Sequence, residues 1–435
     1  MVVSNMSEYT ATKDSGIEWI GAIPATWKTH TLYQLVTQVK NKNSDLQETN
    51  LLSLSYGKIK RRDINSNGGL LPESFNGYNI IEDGDIVLRL TDLQNDHTSL
   101  RVGLATERGI ITSAYTTLRP IKKETSRYLY YLLHSFDIKK GFYGMGSGVR
   151  QGLNYDEVKE LRVILPSDAE QSAIVSYLDE QCAKIDNLID ESKSSISMYT
   201  SWKASIISET VTNGINPASE MHNSGTKAIG MIPRQWSKTK IGRVAIFYNG
   251  DRTSRYPKPD DFVDEGIPFI NSTNLNSDVL DLSTAKYITR EKYDSLSGAK
   301  LEINDIVYCL RGSVGKCAIN ITENAGTVAS SLMTIRAVGI HSKYLLYVLL
   351  SNVAKVQTDI CMNGTCAANL SAESVSNYII PLPTTNEQNK IVEKLDYECS
   401  KIDSLLLEKQ ELIRDLEEYK RSLIFEVVTG KRKVV

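Results

Sequence analysis

One pattern constrains this chain before any motif is read: a long stretch of it is written twice. Residues 170–213 return at 387–430, 217 positions later. Glu170-Gln171 matches Glu387-Gln388, Ile174-Val175 matches Ile391-Val392, and Leu178-Asp179 matches Leu395-Asp396. Cys182 matches Cys399, Lys184-Ile185-Asp186 matches Lys401-Ile402-Asp403, and Glu209 and Thr212 match Glu426 and Thr429. That period is too long for a solenoid unit, so each copy must be a whole domain with a long helix attached.

The helical segments are the clearest part. Ser167-x-x-Glu170 follows Leu165-Pro166, and Thr384-x-x-Glu387 follows Leu382-Pro383. Each is a capping box, in which a hydroxyl accepts from an orphan backbone N–H and the carboxylate reaches back to the cap residue. A heptad follows. Its a/d positions are Val175, Leu178, Cys182, Ile185, Ile189, Ser192, Ile196, Tyr199, Lys203 and Ile206 in the first copy. In the second they are Val392, Leu395, Cys399, Ile402, Leu406, Lys409, Ile413, Leu416, Lys420 and Leu423. The polar interruptions fall on the same rungs, Ser192 with Lys409 and Lys203 with Lys420. Matched seams predict that the two helices pack on each other. The alternative is two unrelated surface helices. A helix of ~45 residues is ~65 Å long, far more than a compact domain needs. Breakers end both segments, at Thr212-Asn213-Gly214 and Thr429-Gly430.

The globular halves are more divergent copies. Each opens with one phrase, Ile20-Gly21-Ala22-Ile23-Pro24 before Trp27 and Ile229-Gly230-Met231-Ile232-Pro233 before Trp236. Each has a strand-like run after an acidic turn, Asp83 to Arg89 and Asn304 to Arg311, and later Thr-apolar-Arg, at Thr117-Leu118-Arg119 and Thr334-Ile335-Arg336. An apolar helix is predicted next, Tyr128 to Leu133 and Tyr344 to Leu349. Glycine-bearing loops, 143–154 and 361–371, lead to the long helices. Segments 40–80 and 250–300 hardly match, which reads as one scaffold presenting two different surfaces. The expected divisions are an extension (1–15), a first domain (16–165), a helix (166–213), a linker (214–226), a second domain (227–382), a helix (383–430) and a tail (431–435).

Composition fits a soluble two-domain protein, with 41% hydrophobic and 23% charged residues. No stretch approaches the ~18 apolar residues of a membrane span, and the N-terminus lacks a signal-peptide pattern. Six cysteines without a C-x-x-C pair fit a reducing cytoplasm. Net charge is −2, but it is unevenly placed. Basic against acidic counts are 20 to 18 in 1–165, 3 to 8 in 166–215, 17 to 15 in 216–382 and 10 to 11 in 383–435. Each globular half is weakly positive, which leaves room for local basic patches.

The Trp-centred opening, the acidic-turn strand, the glycine loop and "LP…EQ..IV..LD….KID" at the head of a long helix, all occurring twice in one order, resemble the specificity subunit of type I restriction–modification systems. The resemblance covers nearly the whole chain. It implies an α+β fold: two similar α/β target-recognition domains, each followed by a long helix, the two helices forming an antiparallel coiled-coil spacer with pseudo-two-fold symmetry. It further implies that each domain reads one half of a bipartite, asymmetric double-stranded DNA target. The helices would set the gap and dock two methyltransferase subunits, and translocase–nuclease subunits would complete the complex. S-adenosylmethionine, ATP and Mg are expected in those partners, none in this chain.

Base reading needs paired donors and acceptors on loops that reach a groove. The first-domain candidates are Lys58, Lys60, Arg61 and Arg62, Arg89 with Asn95, Tyr115, and Arg150 with Gln151. In the second they are Arg252, Thr253, Arg255 and Tyr256, then Asn271, Ser272 and Asn274, Arg311 with Lys316, and Asn363 with Thr365. The plain alternative for each is a solvated charge or a turn residue. For Arg89 and Arg311 it is an ion pair with Asp85 or Asp305. Lys58 to Arg62 suit phosphates better than bases.

Enzymatic readings find little. Asn216-Pro217-Ala218 in the linker is not a methyltransferase motif, and Gly312-x-x-Gly315-Lys316 followed by Cys317 lacks the spacing and hydroxyl of a phosphate loop. Cys309, Cys317, Cys361 and Cys366 are poorly spaced for zinc, and the five histidines form no ligand pattern. Two other readings stay open: a coiled-coil adaptor whose domains bind protein or glycan, and a specificity-like subunit of a related defence system.

Overall fold

The computed structural model describes residues 9–64, 74–93, 96, 98, 100–145, 152–323, 326–362 and 369–434. The chain forms two compact units, one of residues 1–192 with 411–435 and the other of residues 193–410. Each long helix is therefore divided between the units.

Each unit is built on the same four-stranded antiparallel sheet. In the first unit the order is Val36–Gln38, Thr116–Pro120, Ile86–Leu88, Val102–Leu104. In the second it is Ala245–Asn249, Leu332–Ala337, Ile306–Cys309, Cys317–Ile319. The central strands of both sheets are almost wholly buried, which explains their unbroken apolar runs. A helix packs on each sheet, Ser126–Ile138 in the first unit and Ser342–Leu350 in the second. The divergent segments differ in form. The first unit carries a hairpin, Leu52–Ser55 with Lys58–Arg61, over a small core of Leu52, Leu54, Ile81, Val87, Ala105 and Ile111. The second carries a further four-stranded sheet with a larger core of its own.

The long helices span Asp168–Asn213 and Thr385–Val428. Both capping boxes form: Ser167 N–H donates to Glu170 at 3.2 Å and Thr384 N–H to Glu387 at 3.1 Å. Both helices end on a glycine in the left-handed region, Gly214 at φ +74° and Gly430 at φ +70°. Every a/d position named above is buried or half-buried.

Within each unit the two helices run antiparallel, and a tryptophan marks the arrangement. The Trp27 indole N–H donates to Glu170 at 3.0 Å, at the start of the first helix, while Gly430, ending the second, lies against Trp27 and Pro24. In the other unit Trp236 donates to Glu387 at 3.1 Å, at the start of the second helix, and Gly214, ending the first, lies against Trp236. Farther along, Lys420 binds Asp186 at 2.6 and 2.7 Å in the first unit, and Lys203 binds Asp403 at 2.9 Å in the second. These are the same pair with the helices exchanged, since each aspartate and each lysine has its counterpart 217 positions away. The Lys203/Lys420 rung is thus satisfied across the seam, whereas Ser192 turns its hydroxyl back to the Leu188 carbonyl of its own helix.

The repeated Leu-Asp motif ties each helix to its sheet domain. Asp179 accepts from Tyr131 at 2.7 Å and pairs with Arg127, and Asp396 accepts from Tyr347 at 2.7 Å and pairs with Lys343. One expectation is corrected: 214–226 is not all linker, because Met221–Asn223 pairs as a strand with Met231–Pro233. The same hairpin, Thr12–Asp14 with Ala22–Pro24, extends the first domain into the expected N-terminal extension.

Candidate nucleic-acid interface

The acidic turn of each domain holds an arginine of the neighbouring strand. Asp85 is buried and holds the Arg119 guanidinium in two bonds of 2.7 and 2.6 Å, while accepting Glu82 N–H at 2.8 Å. Asp305 does the same with Arg336, at 2.8 Å twice, and with Glu302 N–H. Strand register explains the choice: Leu118 pairs with Ile86 and Ile335 with Ile306, so the next arginine stands beside the aspartate. The pairs considered above, Arg89 with Asp85 and Arg311 with Asp305, do not form. Residues four or more apart along an extended strand are separated by ~13 Å or more. Arg119 and Arg336, the last residues of the Thr-apolar-Arg motifs, have that role. Their carboxylate partners raise both guanidinium pKa values above normal.

In the first domain Lys58, Lys60 and Arg62 are exposed on or beside the hairpin. Arg61 is instead held by Glu107 through Nε at 2.8 and 2.9 Å. Arg89 is half-buried and lies 3.5 Å from Asp96. Tyr115 packs against the small core beneath the hairpin. Asn95, Arg150 and Gln151 lie outside the described residues.

In the second domain Arg252 and Arg255 are exposed, and Arg252 Nε donates to the Ser330 carbonyl at 3.2 Å. Thr253 Oγ1 donates to buried Asp251 at 2.6 Å. Burial raises the Asp251 pKa, but hydrogen bonds from Thr253 and Ser297 outweigh it and hold this carboxyl well below the usual range. Tyr256 meets Phe269 edge-on at 5.7 Å, and with Asn271 it borders a cleft of about 780 Å³ also lined by Phe262, Tyr287 and Lys286. Asn271 caps a short 3-10 turn by accepting Thr273 N–H at 2.8 Å, and Ser272 is half-buried in that turn. Asn274 is corrected: it is fully buried and spends its amide on the Asp281 carbonyl at 2.9 Å, so it serves the fold. Arg311 and Lys316 are exposed, with Lys316 3.4 Å from Asn276. Asn363 and Thr365 lie outside the described residues, as does Cys366.

Two residues escaped the sequence reading. Arg101 is fully buried and donates to the carbonyls of Arg89, Thr91, Asp92 and Asp96, so it holds the loop that follows the acidic-turn strand. Nothing local marks a buried arginine. Tyr56, at the hairpin tip, is 73% exposed. Its signal was present: alternating Leu52-Ser53-Leu54 and Lys58-Ile59-Lys60 flank a Tyr-Gly turn. Among the described residues no group of three or more His, Cys, Asp or Glu is placed to hold a metal, and no helix is long and apolar enough to cross a membrane. Cys182, Cys309, Cys317 and Cys399 are buried, and burial raises their thiol pKa values.

Comparison with known proteins matches this doubled architecture. The MjaVIII type I restriction enzyme specificity subunit of Methanocaldococcus jannaschii is 24% identical over 339 residues, 75% of each chain. The EcoBI specificity subunit of Escherichia coli is 24% identical over 257 residues, 57% of this chain and 52% of that one. A chain from a solved structure concerned with complex assembly and conformational transition of the type I R-M system shares the fold. Its TM-score is 0.66 at 15% identity, over 93% of this chain and 98% of that one. The family model for the type I restriction modification DNA specificity domain matches residues 24–196 and again 233–414. The chain therefore belongs to the type I restriction–modification DNA specificity family and carries its domain twice.

Proposed function

We infer that this chain is the DNA-reading subunit of a type I restriction–modification complex, and that each unit reads one half of a bipartite, asymmetric target. The observation that carries this reading is the identical sheet frame with unlike inserts. One frame explains a common way of meeting the duplex, and unlike inserts explain unlike half-sites. The exposed cations Lys58, Lys60, Arg62, Arg252, Arg255, Arg311 and Lys316 suit phosphate and base contacts.

The helix pair is the spacer, and its length sets the gap. Exposed aromatics on the helices support partner docking: Trp202 in one unit and Tyr419 in the other, 217 positions apart, are each 49% exposed. Two methyltransferase subunits dock there, and translocase–nuclease subunits join the full complex. The methyl donor, ATP and Mg belong to those partners, and this chain supplies recognition without chemistry. Co-expression with the methyltransferase partner, followed by genome-wide mapping of modified adenines, tests the reading. The expected result is a split, asymmetric motif that vanishes when this chain is deleted. Unchanged methylation without the chain would refute it and favour the adaptor.

A further inference from the structure

We propose that the hairpin of residues 52–61 is the major-groove reading element of the first domain, with Tyr56 as its base-contacting tip. This rests on the DNA-reading role above. Strand register gives the hairpin two unlike faces. Leu54 pairs with Ile59, and this face is pressed onto the domain, where Leu54 and Ile59 lie against Gly103 so closely that a Cβ there would stand 2.5 Å from Leu54. Ser53 pairs with Lys60 and Ser55 with Lys58, so the other face is polar and cationic. Both lysines are exposed.

The turn is as distinctive as the faces. Tyr56 and Gly57 both have positive φ, +47° and +75°, the backbone of a tight hairpin that asks for Asn or Gly at the first position. A tyrosine there carries strain and gains no burial, since it is the most exposed large hydrophobic side chain among the described residues, at 73%. Leu100 lies 3.1 Å from where a Gly57 Cβ would stand, so the tip is seated closely on its neighbour. A two-stranded ribbon, two lysines and two serines on its outer face and a projecting aromatic ring form one set. The major groove, ~12 Å wide, admits a two-stranded ribbon. The lysines then meet phosphates and base edges, and the Tyr56 ring packs on a thymine methyl.

The test uses the assembled complex with its methyltransferase partner. Methylation rates are measured on cognate duplexes, on duplexes with single base-pair changes in either half-site, and on duplexes carrying 7-deazaadenine or 7-deazaguanine, which lack the major-groove N7 acceptor. Tyr56→Ala is expected to lower kcat/KM by about tenfold, the order of one lost major-groove base contact, and to relax discrimination in one half-site only. Tyr56→Asn, which tolerates positive φ, keeps the turn and isolates the side chain; it should show the same loss. The 7-deaza change in that half-site should slow the wild type by removing an acceptor for the lysines, and replacing thymine by uracil there, which removes the methyl, should slow the wild type and add little in either variant. Wild-type rates and discrimination in both variants would overturn the proposal, as would indifference of the wild type to 7-deaza bases in both half-sites. If the wild type shows no split motif, the DNA-reading role itself has failed, which is a different result.

Discussion

The two seam lysines are related by the repeat but differ in surroundings, and that difference has a measurable consequence. Lys203 is 16% exposed and bonded to two carboxylates, Asp278 at 2.7 Å and Asp403 at 2.9 Å. Burial pulls its pKa down, but the two aspartates outweigh burial and hold it above normal. Lys420, 24% exposed, has Asp186 at 2.6 Å, and that aspartate is 41% exposed. Lys203→Met leaves Asp278 and Asp403 close together without their cation. Breaking a buried pair from one side loses ~3–5 kcal/mol, which the partial exposure of Asp403 reduces to about 2–3. Lys420→Met leaves a single carboxylate that water can reach, so the loss is ~0–1 kcal/mol. For a unit of this size, 1 kcal/mol shifts the midpoint by ~2–4 °C. The expected drops are therefore about 4–12 °C for Lys203→Met and at most about 4 °C for Lys420→Met. Thermal unfolding of the methyltransferase complex, followed by circular dichroism, reads both. Adding Asp278→Asn and Asp403→Asn to Lys203→Met should recover most of its loss. Equal drops for the two lysine variants, or no recovery in the triple variant, would refute the reasoning.

Two other perturbations follow from the first unit. His134 and Asp137 share one buried helix and titrate in opposite senses. Burial, helped by Lys420, lowers the His134 pKa to about 4, so its contribution is present above ~6.5 and is lost as pH falls towards 4. Burial raises Asp137 to about 6 against the opposing Arg101 N–H bond, so its contribution is present below ~3.8 and is lost as pH rises towards 6. Each amounts to about 3 kcal/mol across its window. Urea midpoints between pH 4 and 6 should thus fall with pH in His134→Leu and rise with pH in Asp137→Asn; parallel curves would disprove the assignment. Gly430→Ala places a Cβ 2.3 Å from the rigid Pro24 ring at φ +70° and should lose more than ~2 kcal/mol, whereas Gly214→Ala, 3.0 Å from Trp236, should lose ~1. Equal stabilities in chemical denaturation would contradict that order.

The helices were legible because their determinants are local. A capping box is complete within four residues, a seam within seven, and a terminal glycine within one. The Trp-centred openings and Thr-apolar-Arg motifs were visible as repeats, but their purpose was not. Trp27 seeks Glu170 and Gly430, hundreds of positions apart, and no spacing rule connects them. Among the candidate DNA contacts, residue type alone could not separate Asn271, half-buried beside the cleft, from Asn274, buried and used up by the fold.

The sequence by itself determined that two like domains alternate with two long helices of matched seam, because repetition and periodicity survive in one dimension. Tertiary structure decided the rest. Strand register chose Arg119 over Arg89 for Asp85, and Arg336 over Arg311 for Asp305. It placed Lys58 and Lys60 on the free face of a ribbon while Ile59 went to the core. Antiparallel packing paired Lys203 with Asp403 and Lys420 with Asp186. The physical reason is common to all three: a charge chooses its partner by distance, and distances between segments exist only once sheets have a register and helices have a direction.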